Sequence, residues 1–224
     1  MIKTFLSILF VGVVGVVLAG VFLVAASGLY TIPWLTKALG ADAPRDFGIV
    51  ASEKLFTDQL VEQQIKLTAP YEQYCLTCNL VYSDPAPMNI TLDSEELTSY
   101  LQITNQTLGP LKNIQIKLGD DNFAESSAWI DLTPYGYDLK GPIYMAGSFS
   151  VASPQSISFD IETAKVGMLP VPAEYMVKAE TELNKLVDSQ LDKMSGLKID
   201  TLEVSAGTLL FQGDFPHTIS ASGK

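Results

Sequence analysis

Ile143-Tyr144-Met145-Ala146-Gly147-Ser148-Phe149-Ser150-Val151 carries its apolar residues at every second position. After the break at Ser153-Pro154-Gln155, Ile157-Ser158-Phe159-Asp160-Ile161 continues the pattern. Successive side chains of an extended chain point to opposite sides, so this period gives each run one apolar face. The same alternation appears upstream in Ile114, Ile116 and Leu118, and in Ala128, Ile130 and Leu132. Gly119-Asp120-Asp121-Asn122 and Pro134-Tyr135-Gly136 supply turn residues between these runs. The spacing predicts an antiparallel meander with one buried face, curved by strand twist.

Downstream the period changes to that of a helix. Met176, Ala179, Leu183, Leu186, Val187, Leu191 and Met194 form one apolar stripe within Pro172–Ser195. Pro172 suits a first turn, and Gly196 suits a stop. Ile199, Leu202 and Val204, a turn at Ser205-Ala206-Gly207, then Leu209, Phe211 and Phe215 predict a closing hairpin. The expected fold class is α+β: an N-terminal transmembrane helix, then a curved antiparallel sheet wrapped around one long amphipathic helix. Such a pairing leaves an elongated apolar trough.

Ahead of the meander, Ser52 to Lys66 has helix-forming content with Ser52 as N-cap, and Tyr71 to Tyr82 favours strand. Asp84-Pro85-Ala86-Pro87 is expected to break the chain. Asp93 and Glu96 stand at capping-box spacing, so a short helix should begin there and bury Leu97, Tyr100 and Leu101.

No charged side chain lies between Lys3 and Lys37, and the 22 residues Phe5–Ala26 are almost all apolar. A helix of that length crosses a bilayer core of ~30 Å. It exceeds the ~7–15 apolar residues of a secretory signal, which favours a retained anchor, although Val24-Ala25-Ala26 fits a cleavage site. The expected organisation is residues 1–30 as cytoplasmic stub and anchor, 31–46 as tether, 47–216 as an extracytoplasmic α+β domain and 217–224 as a flexible tail. Beyond the anchor, 13 basic residues face 25 acidic ones, a net charge of −12. That field repels phosphate backbones and makes nucleic acid an improbable partner.

Asp93-Ser94-Glu95-Glu96-Leu97-Thr98, Leu111–Lys117, Ala164-Lys165-Val166-Gly167-Met168-Leu169-Pro170-Val171-Pro172 and Ile199–Gly213 follow one another in an order that resembles a group of single-anchor bacterial envelope proteins. Their extracytoplasmic domains are similar to tubular lipid-binding (TULIP-like) architectures. The resemblance implies a bacterial cell membrane location, a single span and a lipid-holding fold. It departs at Asp120-Asp121-Asn122-Phe123, where the group has an Asp-Gly turn.

Cys75-Leu76-Thr77-Cys78 admits a local disulfide, two free thiols or a redox pair. Zinc would need a second ligand pair, and the chain holds a single histidine, His217. That also leaves a serine nucleophile without an evident base, so no catalytic residue, metal or cofactor is expected. Val166, Met168, Leu169, Val171, Tyr175, Met176, Ala179 and Leu183 are the candidate lipid-groove residues. Methionine suits a wall that must adapt to varied ligands. The function expected is a membrane-anchored, non-catalytic binder of a hydrophobic envelope molecule. The alternative is an envelope scaffold holding a protein partner without any small ligand.

Overall fold

The computed structural model describes residues 17–29, 33–75, 78–136 and 140–221. Helix α1 covers residues 17–27, and α2 (Pro33–Ala38) and α3 (Glu53–Glu62) follow. Next come β1 (Lys66–Leu67), a 3-10 turn at Tyr71–Gln73, β2 (Leu80–Asp93) and α4 (Ser94–Asn105). The meander is β3 (Leu111–Leu118), β4 (Phe123–Asp131), β5 (Lys140–Ser153), β6 (Ser156–Val166) and β7 (Leu169–Pro170). Helix α5 (Ala173–Leu191), β8 (Lys198–Ser205) and β9 (Thr208–Ala221) complete the chain.

The fold is α+β with two sheets. One is five-stranded and antiparallel, in the order β3-β4-β5-β6-β7. The other is mixed and built on the long strand β9, which pairs β2 along one side and both β8 and, in parallel, β1 along the other. Turn chemistry sets these hairpins: Ala206 and Gly207 both have positive φ, as a two-residue hairpin loop requires. The capping box at α4 forms, with Glu96 N–H donating to Asp93 and Asp93 N–H to Glu96, at 2.8 and 2.9 Å.

The main cluster of buried apolar residues lies against the mixed sheet. Tyr74, Tyr82, Met88, Leu197, Phe211 and Ile219 are buried there, with Leu191 and Met194 from the end of α5 against them. Each such side chain stabilises the fold by roughly 1.5–3 kcal/mol.

Four expectations need correction. First, no single sheet wraps α5. The helix lies along strand β6 with no fully buried residue, because polar side chains on its inner face bond the strand edge. Second, Asp84-Pro85-Ala86-Pro87 does not break the chain, since β2 runs through it. β2 pairs only β9 and is therefore an edge, where a proline's missing N–H costs no ladder bond, and Asp84 takes up the irregularity at φ +58°. Third, residues 217–221 are no tail: Thr218 and Ile219 pair β1 and β2, and Ile219 is buried. Fourth, the expected tether 31–46, where it is described at residues 33–46, packs against the domain. Thr36 and Ala41 are buried, Arg45 stacks 4.9 Å over Tyr144 and pairs with Glu125, and Phe47 N–H donates to Gln115 at 2.7 Å.

Of the expected span, residues 5–16 lie outside the described residues. Among the described residues no helix is long and apolar enough to cross a membrane.

A hollow beneath the five-stranded sheet

Strand register decides what the inner face of this sheet presents. Ile116 stands beside Ser126 and Ser126 beside Met145, while Leu118, Ala124 and Gly147 form a parallel row. Ala128 pairs Ile143 at one end, and Phe149 meets Phe159 at the other with ring centroids 6.1 Å apart. The apolar period-two residues thus share one face. Along β4, however, that face is built from Ala124, Ser126 and Ala128, with Gly147 beside Ala124 on β5. Small side chains there leave the floor low, and a cavity of about 440 Å³ opens above it.

Helices wall the cavity on both edges of the sheet. From α4, Leu97 and Leu101 point into it; from α5, Leu183 does; Leu202 and Leu209 of the β8–β9 hairpin border it as well. The helices are held by matching ladders. Along β3, the amides of Leu118, Ile116 and Ile114 donate to Ser94, Thr98 and Gln102 at 3.0, 2.9 and 2.7 Å. Along β6, Ile161 N–H donates to Glu180, Phe159 N–H donates to Asn184 and Ser156 Oγ–H donates to Asp188, at 3.1, 2.8 and 2.7 Å. Both sets fall at i, i+4, i+8 on the helix, because four helical residues rise ~6 Å while two strand residues rise ~6.8 Å; the last β6 step, from Phe159 to Ser156, spans three residues and ends on a side-chain hydroxyl. The ladders satisfy strand groups that would otherwise be left open.

The chemistry of the lining is almost wholly hydrocarbon. Among the described residues no lysine, arginine or histidine borders the cavity, and the ionisable ones that do are Glu125 and Asp160. Burial pushes the Glu125 carboxyl up. Hydrogen bonds from Tyr144 and Lys117, with the charges of Lys117 and Arg45, outweigh that and hold it below its ordinary range. Its charge is therefore committed to those partners.

Of the eight groove candidates, Leu183 borders the cavity. Val166 and Leu169 pair across the β6–β7 turn, Met168 and Tyr175 are more than half exposed, and Val171 donates to Ala164. Met176 is half-buried and Ala179 exposed on α5. The other seven are not among the residues lining the cavity: four precede α5 and three lie in its first two turns, ahead of Leu183. The signal that locates the hollow was the alternation itself, with its run of small residues in β4.

Cys75 and Cys78 are joined in a disulfide. Cys75 borders a second, smaller hollow of about 120 Å³ that Tyr74, Tyr82 and Tyr100 also line. Among the described residues no group of three His, Cys, Asp or Glu is placed to hold a metal ion. Comparison with protein-family models, with curated proteins and with solved structures found no match.

Proposed function

We propose that the chain is a membrane-anchored extracytoplasmic protein that binds one hydrophobic molecule, a lipid or lipid-like chain, beneath its five-stranded sheet and catalyses no reaction on it. The observation that carries this reading is the apolar cavity of about 440 Å³. Its size falls within the ~300–1,000 Å³ of small-molecule sites. Water finds few polar partners there, whereas a hydrocarbon chain would bury apolar surface at about 25 cal/mol per Å². The anchor is the apolar segment Phe5–Ala26, a transmembrane helix in this reading. Its support is that residues 17–27 are helical and that Val17, Leu18, Phe22, Leu23 and Val24 turn apolar side chains outward.

The test is native mass spectrometry of the full chain purified from its own membrane in mild detergent, with extraction of whatever is bound. A discrete added mass released by organic solvent is the expected result. Empty protein throughout would overturn the reading and favour the scaffold alternative.

A further inference from the structure

We propose that the domain rests on the phospholipid bilayer through the surface around the end of α1, formed by Leu23, Val24, Leu29, Trp34 and Met168. This sets the Ala128–Ile143 end of the cavity nearest the membrane, and it rests on the anchor reading above. The helix changes environment within one residue step: Val24 is 42% exposed, Ala25 and Ala26 are 0% and 2%. The buried alanines are fixed to the β6–β7 turn, where Met168 N–H donates to the Ala26 carbonyl at 2.9 Å. A side chain at Gly167 would collide with the Ala26 carbonyl and Ser27, and one at Gly28 with the Ala41 carbonyl and Pro142. The end of α1 is thus seated against the domain rather than hung from it.

Residues next to that seat along the chain expose large apolar side chains. Trp34 is 73% and Met168 53% exposed, and Leu29 adds to them. Trp34 and Lys37 stand one turn apart on α2, the aromatic and cationic pair that suits a membrane–water interface. The occupant follows from the chain itself: residues 4–16, which precede Val17, carry no charged side chain and are almost all apolar. Pro142, which abuts Gly28, immediately precedes Ile143 at the cavity's end.

The native cysteines are bonded to each other, so one introduced thiol can be labelled alone. Met168→Cys and Val151→Cys, each carrying an environment-sensitive fluorophore, are reconstituted as full chains into phosphatidylcholine vesicles brominated in the upper acyl chain. Val151 lies eight residues beyond Ile143 on β5, about 27 Å along the strand. The label at 168 should lose about half its emission relative to unbrominated vesicles, while the label at 151 should change by less than ~10%. Equal quenching at both positions, or none at 168, overturns the proposal. Loss of the chain from vesicles in an alkaline carbonate wash overturns it by removing the anchor. Ligand recovery by mass spectrometry is a separate readout, so a bound lipid with no quenching at 168 would sink this proposal alone.

Discussion

Thr98 treats Ile116 as a neighbouring strand would, accepting its amide hydrogen at 2.9 Å and donating back to its carbonyl at 3.3 Å. Thr98 is fully buried, so water cannot replace either bond. Thr98→Val keeps the shape and removes both, which should cost about 1–3 kcal/mol. Thr98→Ser should recover most of that. The equivalent rung on the other rim, Asn184→Leu, should cost less, about 1 kcal/mol, because α5 has no fully buried residue and solvent can reach its ladder. Urea denaturation of the three variants gives the order.

Filling the hollow separates binding from folding. In a packed core an added isobutyl group strains its neighbours by about 1–3 kcal/mol. Ala124 faces empty space on the cavity floor, so Ala124→Leu should leave the melting temperature unchanged or raise it while abolishing the bound mass. Thermal melts and native mass spectra of the same sample check both halves.

The meander strands β3 to β6 were legible in the sequence because each carries its apolar residues in alternation, and the capping box and the Ala206-Gly207 turn were legible because each is a local pattern. Prolines 85 and 87 misled because their tolerance depends on β2 being an edge, a fact of topology that no window reveals. The position of α5 misled for a related reason. Its apolar stripe is shared between Leu183 at the cavity and Leu191 beside the mixed sheet, whereas Glu180, Asn184 and Asp188 read as solvent-facing until their strand partner is seen. The hollow was half-legible: Ala124, Ser126 and Ala128 are plainly small, but smallness marks a void only once the facing wall is known.

Gly147 sits where β5 and β6 shift register, and a methyl group there would collide with the Asp160 carbonyl. Backbone cannot step aside as a side chain can. Gly147→Ala should therefore destabilise by about 2–4 kcal/mol, large for a single methyl group, read from the urea midpoint.

Alkaline pH should unfold the mixed-sheet side. Burial pushes the phenols of Tyr82 and Tyr100 up, aided by a neighbouring tyrosine in each case. A raised folded-state value means the neutral form is the one the fold prefers. The contribution is complete below the unfolded value of ~10 and is lost above it, by up to ~1.4 kcal/mol per pH unit for each tyrosine. Stability measured from pH 9 to 11 should fall, and Tyr82→Phe with Tyr100→Phe should flatten the fall.

The unequal filling of the two sheets makes the molecule mechanically lopsided. Hydrostatic compression favours whichever state removes internal void, so squeezing should loosen the β3–β7 half while the β9 half stays ordered. A guest lodged in the hollow would act as a strut, and the ligand-loaded chain would be the less compressible one.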